Sequence, residues 1–257
     1  MLRFVLLGSS SSGNGLLVFN ENTRLLIDNG FSYKRLTMAL GQVGMTPEML
    51  DAVLVTHEHT DHVRGLGVLA RRVNIPVFMT PACADALPAS IGTVPTITHF
   101  ESGDAFSFDG LHVTSFAVSH DAADPVNFVV QSNGASLGLA TDFGHCSQLI
   151  RARLTGANAL VIESNYCPDM LRKGPYPPKI QQRIRSRTGH LSNLDVQTLL
   201  QQLRHDALRL VVLAHISRDN NHPELACSLA RAALDGCPVQ IVSAPSDTVS
   251  PVFEVHP

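Results

Sequence analysis

Residues 55–65, VTHEHTDHVRG, place three histidines and an aspartate within six positions. Clustered imidazoles are costly on one loop unless something binds them, so this stretch constrains the fold around it. The apolar run Ala52-Val53-Leu54-Val55 before it reads as a buried strand, and the apolar-periodic stretch Val63–Val73 after it as a helix. His57, His59, Asp61 and His62 therefore belong to a strand-to-helix loop. That is the carboxyl end of a strand, where α/β sheets place their chemistry. The four are too closely spaced to share one helical face. A loop turns His57 and His59 one way and Asp61 and His62 the other, which suits two neighbouring metal ions better than one.

The rest of the chain repeats the strand-then-helix theme. Strands are expected at Leu2–Leu7, Leu16–Phe19, Arg24–Asp28, Ala52–Thr56, Val113–Val118, Val126–Val130, Ser136–Thr141, Ala159–Glu163, Leu210–Ala214 and Val239–Val242. Helices are expected at Ser32–Val43, Val63–Val73, Ser147–Leu154, Ser192–Arg204 and Pro223–Leu234, the last with Pro at its first turn and Gly236 just past its end. No repeat or linker breaks the pattern, so residues 1–257 read as one domain of two sheets with helices outside. A net charge of −3 gives no global attraction to nucleic acid or anionic membranes. Five scattered cysteines without a CxxC pair fit a reducing cytoplasm. The amino-terminal MLRFVLLGSSSSG has no small-residue cleavage site and reads as strand, and no apolar run approaches the ~20 residues a membrane span needs.

A two-metal site needs more imidazoles and a carboxylate to share between the ions. His120, Asp142 and His215 each follow an apolar strand as a lone polar residue, in VTSFAVSHD, LGLATDF and LVVLAHIS. With the cluster, they become a converging set. HxHxDH followed by His, Asp and His in this order resembles the metallo-β-lactamase-fold hydrolases along the whole chain. The resemblance implies a four-layer αββα sandwich. It implies that His57, His59 and His120 hold one divalent ion, that Asp61, His62 and His215 hold the other, and that Asp142 bridges them. Asp28, in LLIDNG, matches an early aspartate that supports the metal loop from behind. Zinc suits such ligands, as do manganese and iron. Water bridging two such cations loses a proton near neutral pH, so hydrolysis is the expected chemistry.

Which bond is cut depends on local features, since one fold hosts many chemistries. TGHLSN, residues 188–193, places His190 just before a helix whose Ser192 and Asp195 have capping-box spacing, a natural phosphate seat. TGHLSN with LAHISRDNN resembles the paired histidine motifs of RNase Z-type nucleases. ESNYCPDMLRKGPYPPKIQQRIRSRTGHLSN and LGSSSSGNGLLV resemble the YycJ (WalJ) family, which is associated with exonuclease action on DNA. The resemblance implies a nucleic acid substrate, DNA above RNA, with His190 as proton donor or phosphate ligand and Asp61 as the residue orienting the nucleophile.

Arg172, Lys173, Lys179, Arg183, Arg185 and Arg187 fall immediately before His190. Lys179, Arg183, Arg185 and Arg187 are the candidate backbone-phosphate contacts, with Pro175, Pro177 and Pro178 expected to hold the first part as an extended loop. Only 21 positions separate His120 from Asp142, too few for a tRNA-gripping arm or a β-CASP insertion. Tyr166 stands where related sequences carry His, and serves either as a hydrogen-bond donor or as a packing aromatic. GSSSSGNG, residues 8–15, is expected to line the cleft with hydroxyls and amides, and His222 to cap the last helix. The rival readings are a small-molecule ester, thioester or cyclic-phosphodiester hydrolase, which needs neither basic stretch nor His190, and a metal-binding regulator with vestigial catalysis.

Overall fold

In β1 (Leu2–Ser10), Leu2, Phe4 and Leu6 pack to one side of the strand, Val5 and Leu7 to the other. β2 (Gly13–Phe19) repeats this with Leu16 and Val18 against Leu17 and Phe19. A strand buried on both faces must lie between two layers. The computed structural model, which describes residues 1–257, supplies those layers on both sides.

The first sheet has the spatial order β14 (Phe253–Val255), β1, β2, β3 (Arg24–Ile27), β4 (Ala52–Leu54), β5 (Val77–Met79) and β6 (Ile97–His99). The second has the order β13 (Gln240–Ser243), β12 (Leu210–Ala214), β11 (Ala159–Glu163), β10 (Ala135–Ala140), β9 (Val126–Ser132), β8 (Leu111–Ala117) and β7 (Ala105–Phe108). Pairing is antiparallel from β14 to β3 and parallel from β3 to β6. The second sheet is likewise antiparallel from β7 to β10 and parallel from β10 to β13.

α1 (Tyr33–Gly41), α3 (Leu66–Val73) and α4 (Pro81–Asp85) cover the first sheet, while α5 (Gln148–Leu154), α8 (Asn193–Leu203) and α9 (Pro223–Ala233) cover the second. The inner core holds 25 buried residues and the outer cores 21 and 23, so each layer is a full partner in the expected αββα sandwich. No helix is long and apolar enough to cross a membrane.

Several expectations need correction. The helix expected over 63–73 is two helices, α2 (Thr60–Val63) and α3, broken at Gly65. A Cβ at Gly65 would sit 1.7 Å from the Phe31 carbonyl oxygen, and one at Gly30 would sit 1.8 Å from that of Asp61. The chain crosses itself there, and the crossing clamps the 57–62 segment to the Asp28–Phe31 turn. Gly65→Ala should therefore destabilise the metal-free protein by roughly 3 kcal/mol, the upper end for overpacking, lowering the melting temperature by about 6–12 °C. A melting curve in chelator checks this.

Pro175 and Pro177 lie in a non-helical connection, residues 174–177, as expected, but Pro178 does not. It opens α7 (Pro178–Ile184), as Pro168 opens α6 (Pro168–Lys173), each proline at a helix start, where the missing N–H costs nothing. Most of GSSSSGNG is strand, paired across a tight β1–β2 hairpin, Ser10 opposite Gly13. The unexpected strands β5, β6, β7 and β14 have three or four residues each, too few to show a period.

Candidate metal centre

The polar residues flagged at strand ends meet on one rim of the sandwich. The 57–62 cluster follows β4, His120 follows β8, Asp142 follows β10 and His215 follows β12. Asp28, Asp142 and His215 turn the backbone left-handed, with φ of 61°, 57° and 50°. Asp and His enter that conformation more readily than most residues. Asp61 and His62 lie in the helical turn of α2 rather than in open loop, with His59 at its cap.

His57 Nε2 and His120 Nε2 lie 3.1 and 3.3 Å from His59 Nδ1, so three ring nitrogens face one point. Across from them, Asp61 Oδ2 lies 3.5 Å from His62 Nε2 and 3.7 Å from His215 Nε2. Asp142 has Oδ2 3.4 Å from His62 Nε2 and Oδ1 3.5 Å from His215 Nδ1, and it also reaches the first group, with a carboxylate oxygen within 4.8 Å of a His57 ring nitrogen. Asp142 Oδ2 and His215 Nε2 are buried and lack any hydrogen-bond partner. A buried carboxylate oxygen without a donor is costly unless a cation supplies the missing charge. Imidazoles and carboxylates so disposed suit divalent metal ions.

Neighbours set the rings. His62 Nδ1 lies 2.8 Å from Asp28 Oδ2, and Asp28 accepts bonds from Thr56 N at 2.9 Å and Thr56 Oγ1 at 2.7 Å. The Gly189 carbonyl accepts from His120 Nδ1 at 3.1 Å. Both rings thereby turn Nε2 into the centre. Burial pushes the His57 pKa well below its ordinary value, which leaves the neutral, ligating form. Burial opposes ionisation of Asp142, but the nearby imidazoles, His215 and His62 foremost, outweigh it and hold the carboxyl well below its usual range.

His190 closes the site. Its Nδ1 lies 3.0 Å from Glu163 Oε2 and 3.8 Å from Asp142 Oδ1. Glu163 is fully buried, and its Oε1 accepts bonds from Phe143 N at 2.9 Å and Leu191 N at 3.1 Å. Glu163 was not among the expected site residues, although it ends the apolar strand ALVIE much as His120, Asp142 and His215 follow theirs. The capping box at Ser192 and Asp195 is formed as expected.

Of the basic residues, Lys179, Arg183, Arg185 and Arg187 are exposed, and α7 buries no side chain. The carboxyl end of α7 abuts the site through His190 N donating to Ile184 O at 2.9 Å. Arg183 is not free: its Nε donates to Asp121 Oδ2 at 2.5 Å, and Asp121 Oδ1 lies 3.5 Å from His120 Nε2. Asp121 is a second residue the sequence reading missed. Tyr166 is buried, in keeping with the packing role, and burial pushes its phenol up to about 12. His222 occupies the cap position of α9 but its side chain makes no cap bond. Of the GSSSSGNG hydroxyls, Ser9 Oγ accepts from His215 N at 2.8 Å, and the side chain that reaches the cluster is Asn14.

A family model described as a β-lactamase superfamily domain matches residues 23–216. The chain is 38% identical over 257 residues to a Bacillus anthracis protein named exodeoxyribonuclease YycJ, covering 99% of this chain and 94% of that protein. It is 34% identical over 263 residues to a Streptococcus pneumoniae protein named exodeoxyribonuclease WalJ, covering 98% of each. Among solved structures, the metallo-β-lactamase-fold protein YhfI of Bacillus subtilis superposes with a TM-score of 0.75 at 17% identity, over 97% of this chain and 98% of that one.

Proposed function

We propose, from the premise that this chain belongs to the β-lactamase superfamily, that it is a two-metal phosphodiesterase that degrades nucleic acid, DNA in preference to RNA, as an exonuclease. One observation carries the reading: a chain similar end to end to proteins named exodeoxyribonucleases gathers two imidazole–carboxylate groups around the unpartnered Asp142 Oδ2. Zinc is the ion we assign, with manganese and iron also suited to the donor set. His57, His59 and His120 would hold one ion and Asp61, His62 and His215 the other, with Asp142 shared. The ions would bring water near a neutral pKa and neutralise charge developing on the phosphodiester.

The protein's own groups do the rest. Asp61 orients the attacking water and accepts its proton. As water adds to phosphorus and the bond to the leaving oxygen breaks, His190 passes a proton to that oxygen. Glu163 holds the His190 ring by Nδ1, leaving Nε2 to the substrate side. Asp28 fixes the ring of His62. We assign the protein to a reducing cytoplasm, an environment that its free, scattered thiols fit.

The test is incubation of purified, zinc- or manganese-loaded protein with end-labelled single- and double-stranded DNA and RNA. Stepwise release of nucleotides from one end of DNA is the expected result. Turnover of small esters alone would select the small-molecule hydrolase instead.

Arg183 already has Asp121 as its partner, so Arg185 and Arg187 are the better reporters of a phosphate track. Replacing both with Gln should flatten the dependence of log affinity on log salt by roughly 1.4–1.8 units for oligonucleotides. Turnover of a small phosphodiester should stay unchanged. Identical salt slopes in the double variant and the parent would make the stretch a solvated surface.

A further inference from the structure

We infer that Asn14, at the tip of the β1–β2 hairpin, is a substrate-binding residue whose side-chain amide donates to a phosphoryl oxygen at the corner formed by Asp61, His62 and His215. The inference rests on the two-metal phosphodiesterase reading above. Asn14 is buried, and its Nδ2 lies 3.1 Å from Asp61 Oδ2 and 3.0 Å from His62 Nε2. A carboxylate only accepts, so the amide nitrogen, not its oxygen, must face Asp61.

Counting lone pairs then assigns the second N–H. A metal ligand must be neutral, and in a neutral His62 whose Nδ1 donates to Asp28, Nε2 is the ring's acceptor. An imidazole nitrogen has one lone pair, and it serves either the Asn14 amide or a metal ion, never both. With an ion on His62, one hydrogen of Asn14 stays on Asp61 Oδ2. The other faces the centre with no acceptor left on His62. A neutral donor beside a cationic corner matches an anionic oxygen, and phosphodiesters bring two such oxygens.

The amide is held in place. Gly30 N donates to the Asn14 carbonyl at 2.9 Å. Arg64 donates through Nε and Nη2 to Gly30 O at 3.1 and 2.8 Å, and also to Ser12 O. The hairpin tip and the Asn29–Gly30 turn are thus tied together from the helix side, so a donor aimed at substrate loses little freedom on binding.

The experiment titrates inorganic phosphate into zinc-loaded parent, Asn14→Ala and Asn14→Asp proteins by calorimetry, with metal content and melting temperature measured on the same samples. Asn14→Ala should keep its metal and bind phosphate roughly 10-fold more weakly, the worth of one hydrogen bond to a charged acceptor. Asn14→Asp should keep its metal and bind phosphate more weakly still, since a second carboxylate then faces the anion. Metal-loaded Asn14→Ala that binds phosphate like the parent overturns the inference and leaves the two-metal reading standing. Loss of metal from Asn14→Ala also overturns it, because the side chain would then act only through Asp61. A parent protein that takes up no zinc overturns the two-metal reading itself, and the inference with it.

Discussion

Replacing Asp142 with alanine should leave at most one metal ion per chain and reduce hydrolysis to background. The carboxylate lies 3.4 Å from His62 Nε2 and 3.5 Å from His215 Nδ1 on one side, and within 4.8 Å of a His57 ring nitrogen on the other. Its Oδ2 has no protein donor, so a cation is its natural counter-charge. Removing it strips a ligand from both positions together. Metal analysis of dialysed protein reads the first effect, and an end-labelled DNA assay the second. Alanine at φ of 57° is strained, so Asp142→Gly belongs beside it: glycine accepts the left-handed backbone and cannot ligate. Two ions per chain in both variants would remove Asp142 from the bridging position.

His190→Ala should keep both metals and lose roughly 10²–10⁴ in rate on DNA, the usual worth of a positioned acid. The loss should be far smaller on a nitrophenyl phosphodiester, whose leaving oxygen needs little protonation. The reason lies in the geometry. His190 is held from behind by Glu163 at 3.0 Å and stands over the centre, 3.8 Å from Asp142 Oδ1. Equal losses on both substrates would show that His190 binds phosphate or supports the metals rather than supplying a proton.

How much of this was legible beforehand depended on range. HxHxDH carries its own signal, and His120, Asp142 and His215 stand out as single polar residues after apolar strands. Glu163 has the same signature and opens the ESNYC stretch, but it closes its strand as the last paired residue and so reads as strand rather than site. Asp121 and Arg183 are 62 positions apart, and nothing in either neighbourhood announces the other. Asn14 sits in a Ser/Gly stretch that reads as turn, whereas pairing with Ser9 makes it strand and fixes its side chain toward the metal loop. Proline breaks a helix in its interior, and Pro175 and Pro177 indeed stay in the connection between α6 and α7. At a helix start it does the opposite, and Pro178 begins α7.

The three left-handed turns limit how this centre can drift by substitution. A non-glycine residue in that conformation costs on the order of 1–3 kcal/mol. Asn, Asp and His carry it best, and β-branched residues worst. At positions 28, 142 and 215 the backbone thus filters for side chains that also bind protons and cations, whatever is selected at the level of activity. A mutation from Asp142 to Asn passes the backbone filter and fails the charge requirement, whereas Asp142→Glu has the charge but a side chain less suited to the turn. Few single steps satisfy both. At position 142, whose Oδ2 has no protein partner, a copy of this protein freed from catalytic duty would gain stability by changing to glycine, so the loss of function and the relief of strain would arrive in the same step.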